Sequence, residues 1–127
     1  MRILIVLLIF IPTIVLSQKQ IDLKKKFTGS YKGEISSFKM DTGEDLVDVA
    51  RVPITIEIKL DEVVFKIGSH ELTGSYEVMF EADKYYLLDC KIPGRLAGER
   101  VVVYKRGKKI SRDGLYPQPS AMLYKVK

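Results

Sequence analysis

From Val52 to Leu60 every second residue is apolar: Val52, Ile54, Ile56, Ile58 and Leu60 alternate with Arg51, Pro53, Thr55, Glu57 and Lys59. A period of two is that of a strand with one buried and one wet face, and a helix would scatter these side chains around its axis. The pattern continues. Val63, Phe65 and Ile67 alternate after the turn Asp61-Glu62. Leu72, Gly74, Tyr76, Val78 and Phe80 oppose Thr73, Ser75 and Glu77, and after Ala82-Asp83-Lys84 the set Tyr86, Leu88, Cys90 and Ile92 opposes Tyr85, Leu87, Asp89 and Lys91. Further strands are expected in the stretches RVVVYKR, KKISR and AMLYKV, separated by Gly107 and by the loop Asp113 to Ser120 with its two prolines.

About eight antiparallel strands with short links result, and helical periodicity is confined to a turn or two within Gln20 to Lys26. Without crossover helices a parallel sheet is excluded. Eight strands in an open sheet would leave two long edges exposed, so the chain is expected to be all-β, closing into an up-and-down barrel or, alternatively, splitting into a sandwich. A repeated pentad favours the barrel. Phe27-Thr28-Gly29-Ser30-Tyr31 and Leu72-Thr73-Gly74-Ser75-Tyr76 each place a glycine on the inward face, where a strand can coil and a ring can lie over bare backbone.

The first seventeen residues differ from the rest. Arg2 is followed by the apolar run Ile3 to Ile11, then Pro12, Thr13 and Ile14 to Leu16. That is the pattern of a secretory signal peptide, with cleavage expected after Ser17; a membrane anchor would want ~20 apolar residues without a proline. The expected organisation is a signal peptide over 1–17, an N-terminal segment over 18–26 and a single barrel domain over 27–127. The product is expected to be exported, periplasmic or secreted, and soluble. Cys90 is the only cysteine, so no internal disulfide can form.

The opening Gly29-Ser30-Tyr31 after a short polar segment, followed by a meander of hairpins, resembles the calycin barrels: lipocalins, fatty-acid-binding proteins and avidins. Those families carry Gly-x-Trp on the first strand, and avidin-like chains repeat a Leu-Thr-Gly-Thr-Tyr that Leu72-Thr73-Gly74-Ser75-Tyr76 is similar to. The resemblance implies a barrel that holds a small molecule. The departures narrow it. There is no tryptophan to wall a biotin site, the link around MDTGEDLVDVA is too short for the helical lid of a fatty-acid-binding protein, and Lys125 stands on the last strand where an arginine would pack across the Gly-x-aromatic.

Catalysis finds no support in the pattern. His70 has no second histidine or cysteine with which to complete a metal set, neither Ser30 nor Ser75 lies in a Gly-x-Ser-x-Gly elbow, and Cys90 falls between Leu88 and Ile92 on an apolar face. Asp41, Glu44, Asp45 and Asp48 gather around a turn, but without the alternate-position acids of a calcium loop. No cofactor, metal or catalytic residue is expected.

Two binding readings remain. In the first, the inward set Tyr31, Ile56, Phe65, Tyr76, Leu88, Val103 and Tyr124 surrounds a small apolar or amphiphilic ligand, the tyrosine hydroxyls fixing its polar end. In the second, the barrel is filled, and the basic hairpin of Lys105, Arg106, Lys108, Lys109 and Arg112 meets an anionic envelope surface or an acidic protein. The stretch LKKKF, Leu23 to Phe27, has the same character. The formal net charge of +5 is modest, and nucleic acid is not an expected partner of an exported chain.

Overall fold

The computed structural model describes residues 21–95, 98–114 and 118–126; the proposed signal peptide lies outside them. Among these residues ten strands follow a 3-10 turn at Lys25–Phe27: β1 (Gly29–Ile35), β2 (Phe38–Asp41), β3 (Leu46–Val49), β4 (Val52–Ile58), β5 (Val63–Ile67), β6 (His70–Glu81), β7 (Tyr85–Lys91), β8 (Glu99–Tyr104), β9 (Lys109–Arg112) and β10 (Ala121–Lys125). Eight of them form a closed antiparallel barrel in the order β1-β10-β9-β8-β7-β6-β5-β4, with β1 pairing back onto β4 from Gly29↔Ile58 to Ile35↔Val52. The barrel expected from the alternation is therefore the fold, and the sandwich is not.

Alternation decides the interior. Ile54, Ile56 and Ile58 of β4, Val63 and Phe65 of β5, Leu88 and Cys90 of β7, Val101 and Val103 of β8, Ile110 of β9 and Leu123 of β10 are buried in one apolar cluster with Tyr31, Ile35 and Tyr86. Each such isoleucine, leucine or phenylalanine contributes about 1.5–3 kcal/mol relative to leaving it in water. Leu23 and Phe27 close one end of the barrel, the Phe27 ring meeting Tyr86 edge-on at 5.3 Å between centroids.

The glycines of the first strand and of the repeated pentad are required by close approach. At Gly33 a Cβ would run into the Met122 carbonyl oxygen of β10, and at Gly74 into the Lys91 carbonyl oxygen of β7. Bare backbone lets the strands coil past each other at these points. Gly29 lies under the Lys125 side chain, whose Cε would be 2.9 Å from a Cβ there.

Three expectations change. The β6 alternation breaks between Val78 and Phe80, where the register against β7 shifts, and Phe80 faces out, 43% exposed. The β4 pattern ends at Ile58, because Lys59 N–H donates to the Glu62 carbonyl at 2.8 Å and closes a turn; Leu60 is on that turn and 65% exposed. The MDTGEDLVDVA segment, expected as a plain link, is a hairpin of its own, β2 paired with β3 from Phe38↔Val49 to Asp41↔Leu46. It is separate from the barrel sheet.

In an up-and-down barrel successive turns fall at alternate ends. One end receives the chain at residues 21–28 and carries the turns Lys59–Glu62, Ala82–Lys84 and Lys105–Lys108 and the exit at Lys125. The other carries the β2–β3 hairpin, Gly68-Ser69, the segment after β7 and the loop between β9 and β10.

Candidate functional site

Five residues of the expected inward set belong to the apolar cluster. Tyr31, Ile56, Phe65, Leu88 and Val103 are each at most 1% exposed. The polar ends of the inward tyrosines are satisfied by the chain itself. Tyr31 Oη donates to the Phe27 carbonyl at 2.6 Å, and burial pushes its hydroxyl pKa up. Tyr76, half-buried at the barrel rim, donates to the Lys59 and Leu60 carbonyls, the latter at 3.0 Å; burial, then the nearby Asp61 charge, raise its pKa.

Tyr124 does not belong to this set. It is 58% exposed, since Leu123 takes the inward position of β10 and its neighbour must face out. The third inward tyrosine is Tyr86, whose place in the alternation Tyr86, Leu88, Cys90 marks it as inward. Its pKa is raised by burial and then by the Glu81 carboxylate beside it.

The basic residues separate into two groups. Lys105, Arg106, Lys108 and Lys109 surround the β8–β9 turn, where Gly107 (φ 90°) and Lys108 (φ 48°) both take left-handed backbone. Lys105 Nζ contacts the Glu81 carboxylate and stands 5.0 Å from the centre of the Tyr86 ring; Lys109 Nζ lies 5.3 Å from that of Tyr104. Contact with Lys105 holds the Glu81 carboxyl below the usual carboxylate range and lifts the Lys105 ammonium above its own. A surface cleft of about 430 Å³ is lined by Asp83, Lys84, Tyr104, Lys105, Arg106 and Lys109.

Arg112 is elsewhere. It follows Ile110 by two residues on the inward face of β9, so its guanidinium enters the opposite mouth of the barrel and is only 4% exposed. There Nε and Nη2 donate to Glu99 at 3.1 and 3.0 Å, and Nη1 donates to Gln118 Oε1 at 2.8 Å. A buried, doubly bonded guanidinium closes a core and is not offered to a partner.

What the sequence reading kept apart, the fold joins. Lys105 sits on Tyr86, Tyr86 on Phe27, and Lys26 Nζ lies 5.1 Å from the Phe27 ring centre. Lys125 Nζ donates to the Lys26 carbonyl at 2.8 Å. Thus Lys24–Lys26, the β8–β9 turn and the end of β10 occupy one end of the barrel, together with Lys59 and Lys84. Leu60, Phe80 (43% exposed), Tyr124 and Val126 (40% exposed) add bare apolar surface around it.

Comparison of the chain with known protein families, with curated proteins and with solved structures finds no match. The site must be read from its own chemistry. His70 is exposed at the start of β6, opposite Ile67. Cys90 is fully buried and its thiol is pushed up to about 12, first by burial and then by Asp89 and Glu99. Asp41 Oδ1 accepts from the Gly43 N–H at 2.8 Å, stabilising the hairpin turn. Among the described residues no three histidine, cysteine or acidic side chains stand together as a metal set. No described helix is long and apolar enough to cross a membrane.

Proposed function

We propose that this chain is an exported, non-enzymatic β-barrel that docks by its basic end onto an anionic membrane surface of the cell envelope. The observation that carries the reading is the convergence of Lys24–Lys26 with Lys105, Arg106, Lys108 and Lys109 through the Phe27–Tyr86–Lys105 contact. Lysines spread over one face each add about 1 kcal/mol of attraction to an anionic leaflet. The exposed Leu60, Phe80 and Val126 among them suit the boundary between headgroups and acyl chains.

The interior-ligand reading has less support, because the side chains that would line the pocket already fill it and their hydroxyls already have partners. The likeness to calycin barrels stands as part of the proposal. The closed eight-strand barrel and the Gly29-Ser30-Tyr31 start on β1 support it.

Cosedimentation with vesicles tests the docking. Binding is expected to vesicles rich in anionic phospholipid and not to neutral ones, to weaken as salt shortens the Debye length below about 8 Å, and to fall when Lys105, Arg106, Lys108 and Lys109 are changed to glutamine. Vesicle binding indifferent to both salt and these substitutions would overturn the reading. Capture of an acidic protein with no vesicle binding would replace the membrane by that partner, and uptake of an apolar fluorophore by the folded chain would restore the carrier.

A further inference from the structure

Closure of the barrel leaves its eight strands without an open edge, so among the described residues the outer edges of β2 and β3 are the places where another strand can add. This hairpin is also where apolar side chains stand in water: Met40 is 40%, Leu46 67% and Val47 45% exposed. A lone two-stranded hairpin is marginal in water and gains from a third strand.

The backbone fixes which groups face outward. Thr42 N–H donates to the Asp45 carbonyl at 3.0 Å, so Thr42 and Asp45 form a hydrogen-bonded pair. Counting back through the ladder, Met40↔Val47 is hydrogen-bonded, whereas Asp41↔Leu46 and Lys39↔Asp48 are not. The N–H and C=O groups of Lys39 and Asp41 therefore point away from β3, and those of Leu46 and Asp48 away from β2.

An antiparallel two-fold pairing must set outward-facing residues opposite each other. Along β2 there are three such registers. One places Lys39 against its own copy and another places Asp41 against its own copy, and both repel. The third places Lys39 opposite Asp41 of the second copy, twice, with Met40 meeting Met40 of the second copy on the axis. Along β3 the choices are Asp48 against itself, Leu46 against Asp48, or Leu46 against itself with Glu44 facing Asp48; none joins opposite charges.

We propose that the β2 edge pairs with β2 of a second copy of this chain, antiparallel about a two-fold axis at Met40, with Lys39 opposite Asp41 in both halves. The contact is isologous and closes at two copies. It uses none of the basic-end residues and is independent of the docking reading.

The full chain, processed by its producing cell and purified, is the material for the test. Its mass by sedimentation equilibrium should rise to that of a dimer with concentration. Lys39→Glu, which leaves the turn bonds of Thr42 and Asp41 in place, should weaken association about tenfold or more by opposing like charges twice, and Lys39→Arg should retain it. Met40→Cys should give a covalent dimer under mild oxidation, because non-hydrogen-bonded Cα pairs lie about 4.5 Å apart, within disulfide reach. Val47→Cys, one strand removed from the axis, should not. A wild-type chain monomeric at every concentration, a dimer unmoved by Lys39→Glu, or cross-linking through Val47→Cys in preference to Met40→Cys would each overturn the pairing.

Discussion

The Arg112 guanidinium and the Glu99 carboxylate lie side by side in one mouth of the barrel, Nε to Oε2 at 3.1 Å and Nη2 to Oε1 at 3.0 Å, with Glu99 7% and Arg112 4% exposed. Arg95 Nη1 approaches the same carboxylate from the more open side at 3.4 Å. Removing one partner leaves a buried charge without its counterion, and that loss exceeds what the pair contributes as a pair. Arg112→Leu or Glu99→Leu should therefore destabilise the fold by about 3–5 kcal/mol, and the double replacement by less than the sum. Denaturant unfolding of the three variants measures it; additive losses would mean that the two groups do not act together.

Tyr31→Phe removes the donor to the Phe27 carbonyl while keeping the ring. About 1 kcal/mol of stability should be lost. The change should also free the segment before β1, seen as earlier protease cutting near Lys24–Lys26. Lys125→Met should act in the same direction, because the Lys125 ammonium holds the neighbouring Lys26 carbonyl.

Gly74→Ala should be worse than its size suggests. The added carbon meets the Lys91 carbonyl oxygen, which is backbone and cannot swing aside. A loss of about 1–3 kcal/mol is expected as β6 and β7 are forced apart. A thermal melt of the variant equal to that of wild type would show that the strands separate without strain at this point.

The Cys90 thiol should resist alkylation in the folded protein at pH 8 and react fully in denaturant, since the thiolate is the nucleophile. The same shift gives stability a pH slope. In the unfolded chain the thiol ionises near 8.5, whereas in the fold it holds its proton to about 12. Across that interval the folded state binds more protons, so stability is fully present below it and falls as pH rises through it. Cys90→Ala should flatten the start of this decline, just above pH 8.5; an unchanged slope there would assign the decline to other groups.

The fold was legible because burial repeats with the period of the strand: Ile54, Ile56 and Ile58 could point to one side only, and strand after strand without helices left a barrel as the closed solution. The same rule places Tyr86 on the face of Leu88 and Cys90, as the sequence already has it, and puts Arg112 with Ile110 on the inward face of β9. At Arg112 charge and position point opposite ways, and its counterion Glu99 lies across a strand pair and is invisible in local spacing. The β2–β3 hairpin alternates too, Phe38 and Met40 against Lys39 and Asp41, and Val47 and Val49 against Asp48, but each strand is only four residues long and Leu46 breaks the pattern. Convergence of Lys24–Lys26 with the β8–β9 turn is a product of closure, which brings together segments that sequence spacing holds far apart.

Charge is distributed unevenly along the barrel. The β2–β3 hairpin sets Asp41, Glu44, Asp45 and Asp48 against the single Lys39, while the lysines of residues 24–26 and of the β8–β9 turn lie at the other end. The molecule is in consequence an electric dipole with its moment along the strands. Near a negatively charged plane such a dipole feels a torque that turns its basic end toward the plane before any contact is made. Orientation is then set in flight, and only those encounters that begin within the reach of the field need no later rearrangement.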